Sequence, residues 1–195
     1  MNQEEYEYFI RGEQMFGPSF VLEQRLRGRI IYNSILLEKV IEKIIAAHSS
    51  QNKEVPFSRK VKILKDLLKS SYADLFDQCS WIFDIIDELR EIRNEFAHSE
   101  TTVLIDDAVK YAQGAPIEGI TLESWKNGKV EYKVIPTKKA LEYMDRALAL
   151  TILLNNIYSE IDYRISTKKV GSFNAERIVR VVNNVYHYAH LKKEN

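Results

Sequence analysis

The chain has 195 residues, 45% of them hydrophobic and 29% charged, and its 28 basic side chains balance 28 acidic ones. A formal net charge of zero excludes a global electrostatic pull toward nucleic acid or an anionic membrane. Seven glycines and four prolines exclude a collagen-like or low-complexity chain. The composition fits one compact domain over residues 1–195, with enough apolar material to fold without staples.

Cys79 is the single cysteine, so no intramolecular disulfide forms, which fits a reducing compartment. The opening Met1-Asn2-Gln3-Glu4-Glu5 is acidic and lacks the basic and apolar regions of a signal peptide. The longest apolar run, around Ala147 to Leu154, is far short of the roughly 20 residues that span a bilayer. The expectation is a cytoplasmic protein without a membrane partner.

Residues 3–16 read as a short helix with Tyr6, Phe9, Ile10 and Phe16 on one side, ended by Gly17-Pro18. Ser19 then caps a long helix over about 20–48. Its inner face carries Leu22, Leu26, Ile30, Leu37, Ile41 and Ile44, and its outer face mixes Arg25, Arg27, Arg29, Lys39 and Lys43 with Glu23, Glu38 and Glu42. Such a mixed face is solvated. His48 falls in the last turn, where the helix dipole favours a cation.

Ser49 to Pro56 is a polar loop. Ser58 is placed to cap a third helix to about Leu68, with Val61, Leu64 and Leu67 or Leu68 inward, and Ser70 to Gln78 forms a connector or a broken turn. Trp81 to His98 reads as one amphipathic helix, because Ile82, Ile85, Ile86, Leu89, Ile92 and Phe96 recur at three- and four-residue steps. Asp106 and Asp107 start a short helix to Ala112, which Gly114 and Pro116 break.

Two alternating runs, Ile120 to Trp125 and Val130 to Ile135, flank Asn127-Gly128. This is the strongest short-range signal for a type I′ hairpin, here over about 118–136. Pro136 and Thr137 open a long helix to about Ile165, with Leu141, Met144, Leu148, Ile152 and Ile161 as its stripe. Ser172 or Asn174 caps a last helix to about Leu191, with Ile178, Val181, Val182 and Val185 inward. The fold class expected is all-α: a helical bundle of about five main helices with a small β-hairpin insertion.

No glycine-rich phosphate loop, Gly-x-Ser-x-Gly elbow, His-Glu-x-x-His or cysteine pair is present, so no cofactor is expected. His187 and His190 lie three apart, beside Tyr186 and Tyr188. Two candidate ligands do not make a metal site, and none is expected. Arg177, Arg180, Lys192 and Lys193 make the end of the chain basic, which serves dipole compensation and solubility.

Arg93 is the anomaly. It lies four after Leu89 and three before Phe96, near the centre of an apolar stripe. A buried guanidinium is costly unless it is paired or faces a wet cavity. A structural ion pair satisfies that requirement, and so does an active-site cation. Arg93 alone does not choose between them.

The stretch Arg93-Asn94-Glu95-Phe96-Ala97-His98, ending a helix in a helical bundle, resembles the signature of the HEPN superfamily. Its Ile-Arg-Asn-x-Phe-Ala-His ending also resembles the mannitol operon repressor (MltR-like) family. Leu36-Leu37-Glu38-Lys39 and Pro56-Phe57-Ser58-Arg59-Lys60 look like further pieces of that family, so the resemblance covers about 28–112. It implies a helical interaction or regulatory module acting through protein contacts. It also implies an alternative, a metal-independent endoribonuclease of a toxin or defence system that works as a homodimer.

In the nuclease case His98 would act as general base or acid, Arg93 would neutralise charge on the phosphorane, and Asn94 would orient the histidine or a phosphate oxygen. Two after the histidine, where many defence-associated members carry tyrosine, this chain has Glu100. Five residues at about 100° each put Arg93 and His98 some 140° apart on a straight helix. Sharing a site would need a break between them or a second subunit. The partners expected are a second copy, another protein or RNA. DNA is not among them, because no helix-turn-helix or basic recognition helix is present.

Overall fold

The structure is a computed structural model and describes residues 3–48, 55–101, 119–186, 189 and 191. Most of the loop expected at 49–56, the short helix expected from Asp106 to Ala112, and His187, Tyr188, His190, Lys192 and Lys193 lie outside the described residues. Among the described residues six helices and three strands follow in order: α1 (Gln3–His48), α2 (Phe57–Ser71), α3 (Ala73–Cys79), α4 (Ile82–His98), β1 (Glu100–Thr101), β2 (Gly119–Lys126), β3 (Lys129–Pro136), α5 (Thr137–Thr167) and α6 (Ala175–Val185). The fold is all-α with a small antiparallel sheet, as the hydrophobic periods and the Asn-Gly turn imply. The chain divides into two compact units, Met1–Ile31 with Ile92–Leu141, and Tyr32–Glu91 with Glu142–Asn195.

The second unit has the larger helical core. Of the α1 stripe, Leu37, Ile41 and Ile44 are buried here as read, joined by Val40. Helix α2 buries Val61, Leu64, Leu67 and Leu68, and α4 buries Ile82, Ile85, Ile86 and Leu89. Ion-pair clamps join elements here, Arg146 of α5 with Glu88 of α4 at 2.8 Å among them. Lys60 on α2 donates to Glu38 at 2.6 Å and to Glu42 at 2.5 Å, both on α1, and those bonds raise its pKa. Arg164 on α5 forks onto Asp74 of α3 at 2.8 and 2.6 Å, and its Nε reaches Glu160 at 2.7 Å. Glu160, buried, also accepts the Gly171 N–H at 2.7 Å. A side chain at Gly171 would collide with the Glu160 carboxylate, so glycine lets the α5–α6 turn close on it.

In the first unit β2 pairs with β3 from Gly119↔Pro136 to Lys126↔Lys129, and β1 adds a short rung, Glu100↔Glu123 and Thr101↔Leu122. Asn127 and Gly128 have φ of 51° and 75°, the two positive values a type I′ turn requires. One face of the hairpin buries Ile120, Leu122 and Ile135. Leu26, Ile30 and Phe96 are buried in the same unit.

Several expectations are corrected. The helix does not end at Gly17-Pro18: α1 runs through both. A proline forfeits one backbone bond at a local cost of about 3 kcal/mol, and the ladder continues on either side. Ser58 lies inside the first turn of α2. Pro56 is the cap, with its carbonyl accepting from Arg59 and Lys60. The connector after Ser70 holds a seven-residue helix, α3, separated from α2 by the single non-helical residue Tyr72. On α5, Met144 and Ile161 of the expected stripe are buried, but Leu141, Leu148 and Ile152 are only half-buried, and Ala140, Tyr143, Ala147, Leu150, Leu153, Leu154 and Ile157 are buried as well. Apolar residues surround that helix, so its period does not single out one face.

Helix α6 has Asn174 as its cap, accepting from the Arg177 N–H at 2.8 Å, but it ends at Val185. It buries Ala175, Val179 and Val182, leaving Val181 and Val185 exposed and Ile178 half-exposed. Two apolar stripes run along it, and the smaller one faces the core.

The Arg164 bonds hold the Asp74 carboxyl below its ordinary value near 3.8. A depressed native pKa gives stability that is present above the unfolded value and is lost as pH falls through the native one. Asp74→Asn is expected to cost about 1 kcal/mol at pH 7, because solvent screens this half-exposed pair. Urea midpoints of wild type and variant should converge toward pH 3; a gap that stays constant with pH would refute the assignment.

Candidate functional site

The residues marked by the sequence lie at the end of α4 in the first unit. Arg93 is half-buried, and its Nη1 donates to Asn94 Oδ1 at 3.2 Å. Among the described residues, no carboxylate accepts from Arg93. The structural ion pair considered for it is not formed there. Asn94 is half-buried beside it, and His98 is exposed as the last residue of the helix. Helix α4 is unbroken from Ile82 to His98, so the turn of about 140° between Arg93 and His98 stands. The structure therefore brings Arg93 and Asn94 together and leaves His98 on another side of the helix.

The helix end is held from two directions. Arg27 of α1 donates through Nη2 to the carbonyl of Ser99, directly after His98. A cation at this position offsets the negative end of the helix dipole and satisfies a carbonyl that the helix leaves orphaned. Lys133 of β3 pairs with Glu95, which ties the buried side of the hairpin to the same turn. Sequence reading gave Arg27 only a place on a solvated face, since nothing local reveals a bond to Ser99.

The hairpin carries the feature that sequence reading missed. Its register places Thr121, Glu123 and Trp125 on one face of β2 opposite Val134, Tyr132 and Val130 of β3. On that outer face Trp125 is 70% exposed, Val134 62% and Tyr132 56%, while Thr121 is buried. The signal was present: alternation plus a two-residue turn fixes which residues oppose each other.

Other candidates are accounted for. Cys79 is buried, its Sγ donates to the Leu75 carbonyl at 2.7 Å, and burial pushes the thiol pKa up to about 12. It is no nucleophile near neutral pH. His48 is exposed, with its ring edge-on to Tyr72 at 5.9 Å between centroids. Among the described residues, no group of three or more His, Cys, Asp or Glu side chains is placed to hold a metal. No helix there is long and apolar enough to cross a membrane. A groove of about 450 Å³ in the second unit is lined by Asn156, Glu160, Phe173, Arg177, Ile178 and Val181 among others; its buried carboxylate is already engaged by Arg164 and Gly171.

No family model, no curated protein and no solved structure matches the chain.

Because among the described residues Arg93 bonds only its helix neighbour, Arg93→Gln should change unfolding free energy by less than about 1 kcal/mol. A loss of about 3 kcal/mol or more, the size for a broken buried ion pair, would contradict this geometry. Denaturant titration of the two proteins measures the difference.

Proposed function

We propose that the chain is a helical interaction module of the HEPN-like or MltR-like kind, cytoplasmic and working through protein contacts. The observation that carries this reading is the outer face of the hairpin. Trp125, Tyr132 and Val134 are all more than half exposed on one side of a short sheet. Exposed apolar surface costs solubility, and aromatic side chains fixed on a rigid element are the usual anchors of protein contacts. The hairpin is anchored by its opposite face and by the Lys133–Glu95 pair, so it presents those side chains without ordering a loop on binding. A net charge of zero fits a protein partner better than a nucleic acid.

A second reading, metal-independent RNA cleavage, is favoured by one observation. The Arg93 guanidinium has no carboxylate partner among the described residues, and His98 is open to solvent. In that reading Arg93 would stabilise a phosphorane and His98 would move the proton. The unbroken helix counts against both acting in one copy.

Incubation of the purified protein with a mixed RNA pool in EDTA, beside His98→Ala, separates the two. The interaction-module reading predicts intact RNA with both proteins at high concentration. Cleavage by the wild type that disappears in His98→Ala would overturn it in favour of the nuclease.

A further inference from the structure

Strand β3 forms the outer edge of the sheet, and among the described residues no strand pairs with its far side. The two-residue turn makes Lys126↔Lys129 the closing hydrogen-bonded pair. Bonding then alternates along the ladder, so residues 131, 133 and 135 bond toward β2. The N–H and C=O groups of Val130, Tyr132 and Val134 point away from it. An open row of this kind is a template for another strand.

The side chains along the edge restrict which strand fits. From residue 129 the order is Lys129, Val130, Glu131, Tyr132, Lys133, Val134, Ile135. An antiparallel copy centred on Tyr132 sets Tyr132 against Tyr132, Val130 against Val134, and Glu131 against Lys133, the last two twice each. The three residues with outward backbone groups form the hydrogen-bonded pairs, which the ladder requires. Their side chains make a continuous apolar row on the outer face, while both charge pairs fall on the other face.

Neighbouring symmetric registers fail. Centring on Glu131 opposes Glu131 to itself and Lys129 to Lys133, and centring on Lys133 opposes that lysine to itself. Like charges directly opposite destabilise a strand pair, and opposite charges stabilise it. Edge lysines normally repel other strands; here Glu131 between them makes the edge complementary to itself in one full-length register.

We infer that the partner of the hairpin is a second copy of this chain, joined by antiparallel β3–β3 pairing about a two-fold axis at Tyr132, with Glu131 of each copy facing Lys133 of the other. This rests on the interaction-module reading and names its partner. Such an interface is isologous and closes at two copies. It extends the three-stranded sheet to six strands.

Charge exchange tests it. Glu131→Lys gives a chain with two basic positions in the register, and Lys133→Glu gives one with two acidic positions. Each variant turns both opposite-charge pairs into like-charge pairs, so each alone should weaken the dimer about tenfold or more. A one-to-one mixture of the two variants restores both opposite-charge pairs and should form a heterodimer at least about tenfold tighter than either variant's homodimer, short of the wild type only by the Glu95 pair that Lys133→Glu gives up. Sedimentation velocity over a concentration series reads all four samples, and circular dichroism checks that each variant is folded.

A monomeric wild type at the highest concentration would overturn the inference, as would variants that dimerise as the wild type does, or a mixture that stays monomeric. None of these outcomes touches the RNA test, in which only His98 is changed, so failure of the dimer and failure of the interaction-module reading remain separate results.

Discussion

The type I′ turn at Asn127-Gly128 fixes what the hairpin buries and what it shows. With φ of 51° and 75° at the two central residues, the loop admits one register. Lys126 faces Lys129, and every later pair follows. A slip of one residue along β3 would move Ile135 to the solvent face and turn Tyr132 and Val134 inward, out of step with Ile120 and Leu122 of β2. The inner trio is almost fully buried and holds the hairpin in its unit. The outer aromatic face and the orientation of the open edge are consequences of the same constraint. So is the position of Lys133, which reaches Glu95 on the last turn of α4.

That last turn is where ordinary helix chemistry and the candidate site meet. Arg27 closes the helix end through Ser99, as a cation at a helix C-terminus should. Arg93 is different. It sits within the apolar stripe, half-buried, and its only described bond is to the neighbouring amide of Asn94. Clamps elsewhere in the chain use carboxylates: Lys60 with Glu38 and Glu42, Arg164 with Asp74 and Glu160, Arg146 with Glu88. Arg93 has none among the described residues, which keeps a functional role open to it. The straight helix separates it from His98, which keeps a one-chain active site from forming.

Where one apolar face dominates, as on α2 and the first turns of α4, three- and four-residue spacing identified the buried side chains, and strand alternation with Asn-Gly gave the hairpin. Reading failed where a helix has two usable faces. On α6 Ile178, Val181, Val182 and Val185 read as the inner face, yet of these Val182 alone is buried, and it packs inward with Ala175 and Val179. Tertiary fit decides that choice, and small residues allow closer approach. Gly17-Pro18 misled for the opposite reason, because a local breaker lost to a long helical ladder. The Arg27–Ser99 bond spans 72 residues, and no local pattern encodes it. The motif residues themselves were legible; their relative placement needed the helix end.

The account depends on the open edge of β3 being covered in solution. Hydrogen exchange at the outward amides of Val130, Tyr132 and Val134, followed as protein concentration rises, measures this directly. The account predicts that these three amides become more protected with concentration, while the amides of Glu131, Lys133 and Ile135, bonded within the hairpin, stay protected throughout. Exchange at the three outward amides that is independent of concentration would contradict it.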